Sequence, residues 1–119
     1  MKKLIIAGTR DLIPSVELMK QLLEFFQLND VTEIVSGGAT GVDTQAIELA
    51  KHLDIPYTVF PAEWEKHGNV AGPMRNKEMA SYSDALLLIW NGKSPGSKNM
   101  KDQISRANKP LYEVTLNKK

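Results

Sequence analysis

Apolar positions along the chain follow two rhythms. Five short runs, Lys3 to Gly8, Val31 to Val35, Tyr57 to Phe60, Ala85 to Trp90 and Leu111 to Leu116, are mostly apolar and read as strands. Lys3 to Gly8, ended by glycine, and Ala85 to Trp90 have the composition of buried ones. Between them, apolar residues recur at helical spacing. Val16, Met19, Leu22, Leu23 and Phe26 share a face after Pro14-Ser15, and Leu28-Asn29-Asp30 closes that segment. Val42, Ala46, Leu49, Ala50 and Leu53 form a second stripe, ended near Asp54 because Pro56 disfavours helix at Ile55. A third helix is predicted over Met74 to Tyr82, with Pro73 in its first turn, and a fourth presents Met100, Ile104 and Ala107 before Asn108-Lys109-Pro110 stops it. The least regular part is Glu63 to Gly72, polar, with two glycines and a lone Trp64, and it is predicted as a loop. Asn117 to Lys119 reads as a frayed tail.

Strands alternating with helices predict an α/β fold. The expected form is a single Rossmann-like domain over 1–119, with a parallel five-stranded sheet in the order 3-2-1-4-5 and helices on both faces. In that order the first and fourth strands lie side by side where the winding reverses, and ligands gather outside the carboxyl ends of the strands there. Three turn segments should converge on that edge: Gly8 to Asp11, Ser36 to Asp43 and Asn91 to Ser97.

Composition narrows the function classes. With 15 basic against 14 acidic residues, bulk charge gives no pointer to nucleic acid. The chain has no cysteine, which excludes disulfides and thiolate metal sites. Leu4 to Ala7 is too short for a signal-peptide core, and Ala85 to Trp90, the longest strongly apolar run, is far short of a membrane span. The expectation is a cytoplasmic protein with no membrane partner, no metal and no cofactor.

The segment Ser36-Gly37-Gly38-Ala39-Thr40-Gly41-Val42-Asp43 reads as strand, glycine turn, helix. Glycines there permit a tight turn and close approach of a ligand. Thr40 and Asp43 have capping-box spacing, and the helix N-terminus offers amides and a positive dipole end to a phosphate; the plain alternative is a tight strand-to-helix connection. Two tempting motifs fail. Gly92-Lys93-Ser94 resembles the end of a nucleoside-triphosphate loop, but Leu87 stands where that motif needs a glycine. The Gly37 to Gly41 segment lacks dinucleotide-binding spacing and follows the second strand. His52 and His67 have no ligand-like neighbours, and Ser36, Ser94 and Ser97 have no histidine base nearby in sequence. Arg10, just past the first strand, is placed to grip a phosphate or to pair with Asp11 or Asp43. Asp43 can bind a ribose or cap its helix, and Trp64 can stack on a base or fill core. A cation in the first turn of a helix is disfavoured by the dipole, so Arg75 there suggests a partner, protein or ligand. Met79 and Met100 read as core.

Five segments in order carry a family resemblance: Gly8-Thr9-Arg10-Asp11; Ser36 to Asp43; Phe60-Pro61-Ala62-Glu63-Trp64; Ala71-Gly72-Pro73-Met74-Arg75-Asn76-Lys77-Glu78-Met79; and Trp90-Asn91-Gly92-Lys93-Ser94 through Gly96-Ser97. The chain resembles the SLOG superfamily, named for the Smf/DprA and lonely-guy proteins, and looks nearest to its small YspA-like branch. The resemblance implies a Rossmann-like fold binding a nucleotide or ribose-phosphate derivative, in a homodimer. The implied ligand contacts are Gly8, Thr9, Arg10, Ser36, Gly37, Gly38, Thr40, Gly41, Asp43, Trp64, Arg75, Asn76, Gly92, Lys93, Ser94, Gly96 and Ser97. Lonely-guy enzymes cleave the N-glycosidic bond of a nucleoside monophosphate with an Arg and a Glu. Their Arg spacing to a Met and an Asp is matched by Arg75, Met79 and Asp84, so Arg75 inherits the catalytic Arg role; their Glu position falls on Met100. Methionine neither stabilises an oxocarbenium-like centre nor activates water. Asp102, about 200° further round a helix, is no substitute. The resemblance therefore leaves a binder, a hydrolase whose acid comes from elsewhere, a sensor subunit, or a DprA-like single-stranded DNA module; the last lacks a basic groove beyond Lys93, Lys98 and Lys101.

Overall fold

The computed structural model describes residues 3–8, 24, 30–38 and 42–115, apart from the side chains of Val42, Asp43, Gln45 and Trp64. The elements in order are β1 (Lys3–Gly8), β2 (Glu33–Ser36), α1 (Val42–His52), β3 (Tyr57–Val59), α2 (Trp64–His67), a 3-10 turn (Gly68–Val70), α3 (Ala71–Tyr82), β4 (Ala85–Trp90), α4 (Pro95–Arg106) and β5 (Leu111–Thr115). The helix expected after Pro14 and the tail at 116–119 lie outside the described residues.

The five strands form one parallel sheet in the order β3-β2-β1-β4-β5. The sheet is Rossmann-like, with helices on both faces. β1 and β4 run together from Leu4 opposite Ala85 to Gly8 opposite Ile89. Every residue of β4 is buried, as its unbroken ALLLIW sequence demands of a strand covered on both sides. Alternation then sorts the sheet's side chains into two layers. Leu4, Ile6, Ile34, Leu87 and Ile89 meet Ala46, Leu49 and Ala50 of α1. Ile5, Ala7, Val35, Leu86, Leu88 and Trp90 meet Met79 and Ala80 of α3 and Met100 and Ile104 of α4.

Helix ends follow sequence signals. Asp54 and Asn108 adopt left-handed φ of 58° and 57° just past α1 and α4. Ile55 and Lys109 then donate their amides back to Ala50 and Ile104 carbonyls at 2.9 and 3.2 Å, closing Schellman-type caps. The C-terminus of α3 is closed differently: Lys109 Nζ donates to the carbonyls of Ala80, Ser81 and Ser83 at 2.6, 3.1 and 2.5 Å. An ammonium there satisfies orphan carbonyls and complements the helix dipole.

Three expectations need correction. Residues 63–72 are not a loop: Lys66 and His67 amides bond to the Glu63 carbonyl, and helical turns run on through 68–70 into α3. The turns are too short, and too broken by Gly68 at φ 58°, to leave a periodic signature. α3 opens at Ala71, which places Pro73 third and Arg75 in the second turn. Proline is tolerated there because its missing N–H is one the first turn leaves unbonded anyway. Ala107 caps α4 and is exposed, so only Met100 and Ile104 of its expected stripe are core.

Lys109→Met should lower the unfolding free energy by about 1–2 kcal/mol. Lys77→Met, on α3 itself but without such carbonyls, should change it by no more than about 0.5 kcal/mol. Urea unfolding of the two variants checks the difference.

Candidate functional site

Because all strands are parallel, Gly8, Ser36 and Trp90 end on the same edge of the sheet. The first turn leaves β2 through Ser36-Gly37-Gly38. Gly38 has φ 74°, and a Cβ there would sit 2.9 Å from Val59 Cγ1. Both conformation and space therefore require glycine at 38. Its amide donates to Ser36 Oγ at 3.1 Å, so one expected phosphate donor is occupied by the turn itself.

The second turn is shorter than its sequence implies. Asn91 Oδ1 accepts from the amides of Lys93 and Ser94 at 2.9 and 3.1 Å, and Gly92 has φ 81°. Ser94 is the N-cap and Pro95 opens α4, so Gly96 and Ser97 belong to the first helical turn. Ser94 makes no side-chain cap bond. Pro95 has no N–H, which leaves the amides of Gly96 and Ser97 as the first-turn donors. A Cβ at Gly96 would meet nothing within 4 Å, and Ser97 is 4% exposed.

Arg75 and Asn76 join the two turns. Arg75 Nη1 donates to the Gly37 carbonyl at 2.9 Å and the Phe60 carbonyl at 3.5 Å, and its Nε donates to Asn76 Oδ1 at 2.9 Å. Asn76 Nδ2 donates to Asn99 Oδ1 at 3.0 Å and to the Gly96 carbonyl at 3.4 Å. The bridge thus runs from the end of β2 across α3 to the start of α4. The partner expected for Arg75 includes these backbone carbonyls. Arg75 shapes the edge directly, and Asn76, 5% exposed, has both ends of its amide engaged.

The expected site residues divide accordingly. Gly37, Arg75, Asn76 and Gly96 are brought into one bonded chain. Gly8, Ser36, Gly38, Gly92, Lys93, Ser94 and Ser97 occupy the same edge. Thr9, Arg10, Thr40 and Gly41 lie outside the described residues, as do the side chains of Asp43 and Trp64; the backbones of these two open α1 and α2. Asn99 escaped the sequence reading. Its signal was there, three positions after Gly96 and hence on the same side of the helix. Met100 is 1% exposed and packed in the layer beneath α3 and α4, a core residue as read.

Beside the second turn, Trp90 Nε1 donates to Glu113 Oε2 at 2.8 Å, and Lys101 Nζ lies 3.0 Å from Glu113 Oε1. The Lys101 bond first, and then the Trp90 bond, hold the Glu113 carboxyl below its ordinary pKa range. Lys101 therefore has a carboxylate partner on β5. Among the described residues no group of three or more His, Cys, Asp or Glu is placed to hold a metal, and no helix is long and apolar enough to cross a membrane.

No family model matches the chain. It is 31% identical to the gene 61 protein of Mycobacterium phage D29 over 84 residues, which cover 66% of this chain and 67% of the phage protein. Its fold is that of DNA processing protein A (DprA) from Streptococcus pneumoniae, with a TM-score of 0.75 and 17% identity. That likeness covers 97% of this chain, which spans half the length of the DprA chain. The DprA neighbour fits the resemblance to the SLOG superfamily at the level of fold.

Arg75→Met should destabilise the protein by about 1–3 kcal/mol, because half-buried carbonyls lose their donor. Arg75→Lys should recover only part of that, since an ammonium cannot span the fork a guanidinium reaches. Equal stability of all three proteins in urea would remove the bridge from its place in the fold.

Proposed function

The chain belongs to the same family as the gene 61 protein of Mycobacterium phage D29, and we propose that it binds a nucleotide or related ribose phosphate at the carboxyl edge of its sheet. The carrying observation is the bridge through Arg75 and Asn76, which ties the Gly37 turn to the start of α4 at the edge where the winding reverses. An edge of that kind is the usual seat of ligands in open α/β sheets.

In this reading the phosphate rests on the amides of Gly96 and Ser97, where helix donors and dipole favour an anion. Arg10 supplies the opposing charge, Asp43 the ribose contact and Trp64 a face for the base. Gly8, Thr9, Thr40 and Gly41 are the further contacts expected of the ligand. Arg75 and Asn76 hold the walls in register. This assignment places the protein with the small YspA-like members of the SLOG superfamily, as a homodimer. The core position of Met100 favours a binder over a hydrolase; an acid for N-glycosidic cleavage would have to come from elsewhere, such as exposed Glu63 or Glu65.

A second reading, single-stranded DNA in the same cleft, draws on the DNA processing protein whose fold the chain shares. The pairing of Lys101 with Glu113 weighs against it, because it removes one of three lysines near α4 from a basic groove.

Thermal unfolding against nucleoside monophosphates, ribose phosphates and dinucleotides tests the proposal. A ligand at a hundred times its dissociation constant stabilises by about 2.7 kcal/mol, a clear rise in midpoint. Arg10→Ala and Ser97→Asp should each abolish the rise. No rise with any compound would defeat the proposal, and a full rise in both variants would defeat the site. A steep loss of oligonucleotide affinity with salt, without mononucleotide binding, would favour DNA instead. Release of free base would show that an acid other than residue 100 serves the reaction.

A further inference from the structure

Between α3 and α4, lined by none of the edge residues just described, lies an open groove of about 510 Å³. Val70 and Met74 line it, 55% and 39% exposed, with buried Ala80 and exposed Ala107 beneath and beside them. Exposed apolar side chains on neighbouring turns are costly to leave in water and mark interaction surfaces when they are contiguous. The charged residues that line the groove are Lys77 and Arg106, and no carboxylate does. Among the described residues neither cation has an ion pair. Arg106 lies in the last turn of α4, where the helix dipole welcomes it; Lys77, in the middle of α3, has no such reason.

Charge complementarity selects the occupant. A second copy of this chain seated on the groove would use the same patch on both sides of a two-fold axis, bringing Lys77 and Arg106 towards their own copies. An acidic partner meets opposite charge instead. The groove lies between two helices packed side by side, so the shape that fits is a third helix laid between them. We propose that the α3–α4 groove docks an amphipathic helix of another protein, with apolar anchors at spacings of three and four residues over Val70, Met74 and Ala107 and carboxylates against Lys77 and Arg106. The surface is separate from the nucleotide edge and does not depend on that reading.

The test is selection of helical peptides of random sequence by the full-length protein, with counter-selection on Met74→Asp. Binding of selected peptides is then measured by fluorescence anisotropy. Enrichment of Asp and Glu beside apolar residues at helical spacing is expected, with at least tenfold weaker binding to Met74→Asp and to the Lys77→Glu, Arg106→Glu pair. Peptides with their acidic residues changed to Lys should bind that charge-reversed pair better than the native protein. The substituted positions are on the surface, and unchanged unfolding midpoints would show that the variants keep the fold. The proposal is overturned if no peptide separates the native protein from Met74→Asp, or if the selected peptides are basic or uncharged. Sedimentation gives the other decisive outcome: a native dimer that Met74→Asp dissociates would assign the groove to a second copy and overturn the proposal.

Discussion

The parallel pairing of β1 with β4 holds the two halves of the molecule together. One half winds outward from β1 through β2 to β3, the other from β4 to β5. At their seam the register from Leu4–Ala85 to Gly8–Ile89 sends Leu4, Ile6, Leu87 and Ile89 to one layer and Ile5, Ala7, Leu86 and Leu88 to the other. A slip of one residue in either strand would turn that strand's side chains to the other layer and set them against the wrong helix. In open α/β sheets a seam of this kind opens a crevice at the carboxyl edge, because the connections on its two sides run to opposite faces.

Such a crevice needs walls that keep their spacing, and the sheet alone does not supply them beyond its last hydrogen bond. The Arg75–Asn76 bridge does so by spending polar groups on backbone. Gly37, Phe60 and Gly96 contribute carbonyls, which carry no chemistry of their own but fix where the turns lie. A guanidinium committed to those carbonyls is an organiser of the site. Its spacing to Met79 and Asp84 then has a structural sense as well: Met79 anchors α3 in the core one turn later, and Asp84 accepts the Lys3 amide at 2.9 Å where β4 begins.

Much of this was legible in the sequence, and the exceptions share a cause. The apolar runs gave four of the strands nearly to the residue and the sheet order through the alternation of elements: β1 and β4 because a strand covered on both sides leaves an uninterrupted apolar run, and the partly exposed β3 and β5 through the prolines that bound them. α1 was legible because it has a single buried stripe, Ala46, Leu49 and Ala50. The body and end of α3 were legible, but its start was not, because its faces serve different ends. Met79 and Ala80 enter the core, Arg75 and Asn76 turn to the edge, and Val70, just before it, and Met74 are left to solvent. The resulting sequence, AGPMRNKEMASY, has little amphipathic pattern, so the start of the helix and the turns before it read as loop. Asn99 was missed for a related reason: its partner Asn76 lies on a helix whose orientation only the packed structure fixes.

On the proposed reading, the edge takes a compact anion rather than a chain of phosphates. A polyphosphate backbone is held by repeated cations along a groove, each displacing a counterion. Here the lysines that follow β4 are not such a row. Lys101 is paired with Glu113, whose carboxylate is stabilised further by the Trp90 indole, so both partners are committed to fixing the end of β4 against β5. Lys93 and Lys98 are exposed on either side of the α4 N-terminus. What the edge offers between them is concentrated at one point: two amides, a nearly buried hydroxyl at Ser97 and the positive end of a twelve-residue helix. On the proposed reading, that arrangement holds one phosphate at the helix N-terminus and gives a second phosphate several ångströms away no equivalent hold.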